Sequence, residues 1–362
     1  MPIPTIDLSK AEDAERLEEL LDEVRHALLE VGFLYLCGHG IPEGLTRAIV
    51  ELLPTLFAQP GEVKRSVALV QSPHFLGYSA FGAETTARVA DQREQFELAN
   101  ELPDRYGDSN GTLPLYTRLQ GPNQWLQSPD LPHLRSLVES YISALQDVAA
   151  RFLAVVNEAL GLPQDTLAGF TGPQDRLKLV HYRPLPTAAA STPDGDVTGS
   201  QGVGPHKDSS GWITLLLQAS DPSIKGLQVL SKDGRWMDAP PVPGTLVVNL
   251  GQAFEVATNG VCKATTHRVL LPPGDYDRYS VPFFQGVRPD LTKTDLKVLW
   301  DHFHARKWSS HESDEGQNVD SPFLKGRYDI WGEAQLRTKI RSHRDVGAKY
   351  YADVLDKYIN DD

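Results

Sequence analysis

Cysteine is nearly missing from this sequence: Cys37 and Cys262 are the two it has in 362 residues. Two cysteines cannot build a disulfide framework, and neither belongs to a paired metal-binding motif. A reducing, cytosolic setting is the expectation. Positive charge is also short, with 35 Lys and Arg against 48 Asp and Glu and a formal net charge of −13. Such a surface repels phosphate backbones, so nucleic acid is not an expected partner. No run of about 18 apolar residues occurs, so no membrane partner is expected either. The first thirty residues turn acidic early and lack the basic-then-apolar order of a secretory signal. Internal repeats and low-complexity tracts are absent, and no pattern sets an oligomeric state. What is present is 40% hydrophobic content, enough for one large core or two small ones.

The pattern of that content changes along the chain. Residues 10–30 read as a helix, with Leu17, Leu20, Leu21, Val24, Ala27, Leu28 and Val31 on one face. Phe33–Cys37 reads as a short strand stopped by Gly38-His-Gly40, and Glu43–Phe57 as a second helix before Pro60-Gly61. A third helix is predicted over 134–160, its face made by Val138, Tyr141, Ile142, Leu145, Val148, Ala149, Phe152 and Val156. From about 176 the texture becomes strands separated by Gly and Pro: Leu177–Tyr182, Trp212–Gln218, Leu227–Leu230, Thr245–Leu250, Thr265–Leu270 and Ser280–Gln285. Many short strands argue for a β-sandwich or barrel. Thr187–Gly204, small and polar, reads as a mobile loop, and the last sixty residues return to helix. Four regions are expected within one compact unit: 1–120, 121–175 (helical), 176–290 (the β core) and 291–362 (helical).

Two ligand-type side chains stand at i and i+2 in His206-Lys-Asp208, which on a strand places them on one face and Lys207 on the other. A third, His267, lies several strands further on, in Thr265-Thr-His-Arg-Val-Leu-Leu271. Alone, H-x-D is a common coincidence. Two imidazoles and one carboxylate on returning strands match the facial triad of non-haem iron(II) oxygenases. That chemistry needs three protein ligands and no more, because the opposite face must admit a chelating cosubstrate and O2. The other histidines lack this context: His39 sits in a glycine turn, and His26, His74 and His133 read as ordinary solvated or packed side chains. Zinc is the rival metal.

Arg278-Tyr-Ser280 decides against zinc. Arg278 and Ser280 share one strand face, and a guanidinium beside a hydroxyl clamps a carboxylate through charge-assisted, often bidentate bonds. A zinc hydrolase has no evident use for a second anchor so near its metal.

With these motifs in place, the sequence resembles the isopenicillin N synthase-like family of iron(II) and 2-oxoglutarate-dependent dioxygenases. Pro4–Leu8 and Gly32–Pro42 resemble its N-terminal region. His206–Asp208, Pro243–Gly251, Thr258–Gly260, Lys263–Val269 and Arg278–Ser280 resemble its catalytic core. Ile340–His343, Asp345-Val346 and Tyr350-Tyr351 resemble the tail of a microbial, fungal subgroup. The resemblance implies an α+β fold, a double-stranded β-helix (jelly roll) with flanking helices. It implies Fe(II) on His206, Asp208 and His267, chelated by 2-oxoglutarate whose 5-carboxylate rests on Arg278 and Ser280, with Tyr182 within reach. Decarboxylation of 2-oxoglutarate to succinate with O2 would then drive oxidation of a second, small-molecule substrate. Departures from the family pattern are His181-Tyr-Arg-Pro184 for an Asn-Tyr-Tyr-Pro run, Gln252 for a frequent Asp and Lys207 for a frequent Thr.

Substrate contacts are expected from Arg93, in a segment Asp91–Phe96 that resembles a family strand near the active site, and from Arg183. Phe75, Tyr78 and Phe283 are candidates for an apolar lining, and Thr187–Gly204 for a lid. The readings that follow are hydroxylation or desaturation of a small organic molecule, as in microbial secondary metabolism or nucleobase catabolism, or ethylene formation or a 2-oxoglutarate-independent oxidase on the same fold. A non-catalytic 2-oxoglutarate sensor is the reading from another class. The complete ligand set argues against the sensor, and the Arg278/Ser280 clamp against the oxidase.

Overall fold

In a computed structural model the protein is described over residues 2–86, 89–184, 201–209, 211–272, 274–306, 308, 321, 323 and 325–361. The strands are β1 (Thr5–Asp7), β2 (Phe33–Cys37), β3 (Gly77–Ser79), β4 (Thr85–Thr86), β5 (Val89–Ala90), β6 (Arg93–Ala99) and β7 (Arg176–Tyr182). They continue as β8 (Gln201–His206), β9 (Ile213–Gln218), β10 (Leu227–Leu230), β11 (Trp236–Asp238), β12 (Leu246–Leu250), β13 (His267–Leu270) and β14 (Arg278–Phe284). An eight-stranded sheet has the order β1-β2-β12-β9-β14-β7-β6-β3, and a four-stranded sheet the order β11-β10-β13-β8. Residues 1–120 therefore share a sheet with the 176–290 core, β2 pairing with β12 and β6 with β7.

Side chains alternate across each strand, and here the alternation separates two interiors. Leu177, Leu179, Leu215, Leu246, Val248, Val281 and Phe283 face outward into the large core. Helices α1 (Leu17–His26), α2 (Glu43–Phe57), α3 (Gly61–Arg65) and α5 (Leu134–Ala159) cover that side, and α4 (Arg105–Asp108) is a short surface turn with no buried residue. The predicted stripe of α5, from Val138 to Val156, is buried throughout, and each such Leu, Val or Phe contributes about 1.5–3 kcal/mol. Between the sheets lies a smaller core of Phe33, Tyr35, Val180, Tyr182, Val203, Leu227, Val229, Val247 and Val269. Beyond it the inner space opens into a cavity. After α6 (Gln252–Ala257) and α7 (Lys293–Ala305), the chain closes with α8 (Trp331–Ser342), α9 (Arg344–Tyr350) and α10 (Ala352–Ile359). Arg337 pairs with Asp361 at 2.6 Å and fastens this tail to α8.

Several boundaries differ from the sequence expectation. The first helix starts at Leu17 rather than residue 10, because Asp13 is extended (φ −113, ψ 107) and separates it from a short turn over Leu8–Glu12. Phe33–Cys37, Glu43–Phe57 and Leu227–Leu230 form as read. Of the polar run Thr187–Gly204, residues 187–200 lie outside the described residues, and with them the lid reading. Gln201–Gly204 is not loop: it pairs with β13 through Leu270↔Gln201 and Val269↔Val203, a ladder that local composition does not report.

Candidate metal centre and cosubstrate anchor

The register of two neighbouring strands builds the metal site. His206 ends β8, His267 begins β13, and the two are direct cross-strand partners, with ring centroids 4.3 Å apart. The shared-face expectation for His206 and Asp208 needs correction, since β8 stops at His206 and Asp208 lies in the turn beyond it. That turn still delivers its carboxylate. Asp208 Oδ1 is 3.8 Å from His206 Nε2 and 3.6 Å from His267 Nε2, and one ligand atom from each residue lies within 4.8 Å of the others.

Neighbouring groups orient all three. His206 Nδ1 lies 2.8 Å from the Gly204 carbonyl and His267 Nδ1 3.1 Å from that of Thr265. A carbonyl only accepts, so each Nδ1 carries the proton and each Nε2 turns a lone pair inward. Burial, helped by the adjacent His267 and opposed by Asp208, pushes His206 down to about 3, so its ring is neutral as a metal ligand must be. Asp208 Oδ2 accepts 2.7 Å hydrogen bonds from Thr214 and Asn249, which leaves Oδ1 to coordinate. Burial opposes ionisation of Asp208, but the two histidines, Asn249 and Thr214 hold its pKa below the usual value. Thr214 was not singled out in the sequence, and Asn249 appeared there merely inside a longer motif.

Arg278 is 1% exposed. Its Nη2 donates to Gln218 Oε1 at 3.2 Å, but Nε and Nη1 are buried with no partner. Its guanidinium lies 5.0 Å from the Tyr182 ring, the residue directly opposite it on β7. Burial pulls Arg278 down from its ordinary value, and Tyr182 offsets part of that. An orphaned buried guanidinium is costly, and a carboxylate accepting from Nη1 would relieve part of that cost. Ser280 follows on the same inward face. Gly226 makes the anchor possible: a Cβ there would stand 3.0 Å from Arg278 Cδ and Nε and 2.8 Å from the Leu270 carbonyl. Nothing in the sequence pattern marked this glycine.

Triad and anchor line one cavity of about 360 Å³. Arg93 lines it too, with Nη2 2.8 Å from Glu84 and 3.1 Å from Asp91, while its Nε is unpartnered. Arg183 points the other way, exposed and 4.1 Å over the Phe81 ring. Phe75, Tyr78 and Phe283 belong to the outer core. Phe75 stacks on Tyr351, Tyr78 donates to Glu94 at 2.6 Å, and Phe283 sits on the odd-numbered, outward face of β14. The structure thus brings Arg93 to the cavity and leaves the other four candidates out of its lining.

Sequence reasoning missed the far wall of the cavity. Glu84, Glu97, Arg176, Lys178, Gln335, Lys339 and His343 line it, the last three from α8 and the residue after it. Glu97 Oε1 accepts from Arg176 at 2.7 Å and Lys339 at 2.6 Å. Burial opposes the ionisation of Glu84, yet Lys178, Arg93 and His343 hold it well below its ordinary value. Burial lowers Lys339 to about 8, with Arg176 and Lys178 adding to the effect and Glu97 opposing it. These residues come from four separate elements and share no motif. Alternation along β6 and β7 was the signal that could have found Glu97 and Lys178, since each stands four residues from Arg93 or Tyr182.

Two histidines and a carboxylate in a jelly-roll cavity, with a buried arginine open to a carboxylate, are a donor set that could hold a single iron and a chelating acid. The comparisons agree. Residues 174–287 match the 2OG-Fe(II) oxygenase superfamily, and residues 3–128 the N-terminal region of the non-haem dioxygenase in morphine synthesis. A 2-oxoglutarate-dependent dioxygenase, frbJ, of Dothideomycetidae sp. is 40% identical over 98% of this chain and 93% of its own length. A homoarginine-6-hydroxylase of Glycine max is 32% identical over 80% of this chain and 86% of its own. Crystalline JOX2 in complex with 2OG, Fe and JA has the same fold, with TM-score 0.64 and 24% identity over 88% of this chain and 89% of that one. The chain belongs to the 2OG-Fe(II) oxygenase superfamily. It is an enzyme whose cofactor is Fe(II), with 2-oxoglutarate as cosubstrate and O2 as oxidant. Among the described residues, no helix is long and apolar enough to cross a membrane.

Proposed function

We propose that His206, Asp208 and His267 hold the iron, that Arg278, Ser280 and Tyr182 hold 2-oxoglutarate, and that the enzyme hydroxylates or desaturates a small organic molecule carrying a carboxylate, carbonyl or phenolic oxygen. The observation that carries the reading is Arg278, fully buried, with two unpartnered nitrogens in the same cavity as the triad. When bound, the iron and 2-oxoglutarate supply the oxidising power by converting O2 and 2-oxoglutarate to succinate and CO2. The chain's own residues do the rest. Thr214 and Asn249 fix the Asp208 carboxylate, the Gly204 and Thr265 carbonyls fix the two rings, and Tyr182 and Gln218 brace Arg278. Arg93 is a polar group on the substrate side, and its bonds to Glu84 and Asp91 leave its Nε for an incoming oxygen.

The test is anaerobic addition of ferrous iron and 2-oxoglutarate to purified protein, followed by O2. A visible charge-transfer band and then succinate are expected. No band in the wild type, or a band that persists in His267→Ala, overturns the assignment. Ethylene measured in the same vials separates hydroxylation or desaturation from the ethylene-forming alternative.

A further inference from the structure

The two ends of the cavity are unequal in a way that the iron and 2-oxoglutarate do not use. Tyr182, opposite Arg278, marks the cosubstrate end of β7. Lys178 lies four residues earlier on the same inward face, about 13 Å along the strand. Its ammonium has three donors, yet no hydrogen bond satisfies it among the described residues. The nearest carboxylate oxygens are Glu97 Oε2 at 3.5 Å and Glu84 Oε2 at 3.8 Å, too far for good bonds.

The other cations there each have a carboxylate within 3 Å, although Arg93 keeps its Nε open. Arg176 donates to the carbonyls of His74, Phe75 and Leu119 as well as to Glu97, so its guanidinium is a structural tie. Lys339 is held by Glu97, and Arg93 by Glu84 and Asp91. Glu97 lies behind the cations that cover it: its side chain is 0% exposed, while those of Lys178 and Lys339 are each 15% exposed. Counting Arg93 with its partner Asp91, the four cations Arg93, Arg176, Lys178 and Lys339 meet three carboxylates, Asp91, Glu84 and Glu97, which leaves a surplus of one positive charge. A cationic substrate would meet net repulsion there. An anion would meet an ammonium with its donors open.

We propose that Lys178, with Lys339 beside it from α8, is the anchor for a carboxylate of the prime substrate. This deepens the oxygenase reading and rests on it. The cavity then has two anion sites, one at each end of the same strand face. Arg278 takes the cosubstrate, and Lys178 draws in the molecule to be oxidised. Because Lys339 belongs to α8, the C-terminal helix takes part in choosing the substrate. A second, more apolar space of about 80 Å³ opens behind Arg176 and Lys339, lined by Tyr116, Leu119, Val287, Pro289 and Trp331.

Hexanoate and phenylacetate, each with its methyl ester, are the probes. They are titrated anaerobically into enzyme holding ferrous iron and saturating 2-oxoglutarate, so that the Arg278 site is closed to them. Binding is read by calorimetry and by perturbation of the charge-transfer band. At least one acid is expected to bind about tenfold or more tightly than its ester, and Lys178→Gln to remove that preference. Lys178→Arg should retain it. All three proteins should bind 2-oxoglutarate alike, which also shows that the variants are folded. Acids and esters that bind equally, acids that do not bind at all, or an acid preference intact in Lys178→Gln would overturn the anchor. A wild type that forms no charge-transfer band would instead overturn the reading beneath it.

Discussion

Glu94 and Glu97 stand three residues apart on β6, and the strand turns them to opposite sides. Glu94 faces outward and is fully engaged. Lys64 and Tyr78 donate to its Oε2 at 2.7 and 2.6 Å, and His181 meets its Oε1 at 2.8 Å. Its partners come from α3, β3 and β7, and it lines neither the metal cavity nor the smaller space beside it. Glu97 faces inward, where its neighbours include more cations than it can neutralise, and the surplus fronts a cavity. Both clusters contain a buried Glu with Lys and a further basic group, so residue type does not separate structure from function here. Unsatisfied capacity beside an accessible space does.

The sharpest test of that comparison is at the metal. His206→Ala or His267→Ala should abolish stoichiometric ferrous binding, and Asp208→Ala should abolish turnover, read by anaerobic iron titration and succinate release. Next in size is Arg278→Leu, expected to weaken 2-oxoglutarate by about 2–5 kcal/mol, roughly thirty- to several-thousand-fold. Lysine at 278 should recover part of this, lacking the planar fork. An unchanged dissociation constant would dismiss Arg278 as the anchor.

The outer cluster should respond in stability and not in ligand binding. Glu94→Gln strands Lys64, whose side chain is 10% exposed, and is expected to cost about 3 kcal/mol in denaturant unfolding. Iron and 2-oxoglutarate affinities should stay at wild-type levels. The pH dependence has a definite sign. Burial opposes ionisation of Glu94, but its bonds to His181, Lys64 and Tyr78 hold it at about 2, below the ordinary 4.5. Its stabilisation is therefore complete above pH 4.5 and disappears as pH falls toward 2. Glu94→Gln should flatten that limb of the stability–pH curve, and a limb as steep as the wild type would show the cluster to be idle.

Gly226→Ala sharpens the inner side. The added methyl crowds Arg278 and the Leu270 carbonyl, and overpacking of about 1–3 kcal/mol predicts weaker 2-oxoglutarate binding with iron affinity preserved. Smallest is the arginine pair. Once a substrate is in hand, Arg93→Ala should raise its KM, while Arg183→Ala, on the exposed face over Phe81, should match the wild type. Equal effects would erase the distinction between inward and outward faces.

The residues proposed to coordinate or clamp could be picked out in the sequence because that chemistry is tied to short spacings. His206-x-Asp208 and a later strand histidine carry ligand type at a short spacing, Arg278-x-Ser280 carries type and alternation together, and a long helix such as α5 advertises itself by period. Strand pairing was not legible. The first four residues of β8 were read as loop because Gln201-Gly-Val-Gly204 has little strand character of its own, and its order comes from β13. The same non-locality hid the far wall of the cavity. Glu84, Glu97, Lys178 and Lys339 are unremarkable where they stand in the chain, and they meet because β6, β7 and α8 converge. Arg93 and Arg183 look alike as sequence, but Arg93 lies on β6 facing the cavity while Arg183 follows the end of β7 and is exposed. By itself the sequence determined which atoms could bind iron and a carboxylate, since that depends on side-chain chemistry a few residues long. The tertiary structure decided which charges are left over and where they point. Burial and pairing are properties of surroundings brought together from distant parts of the chain.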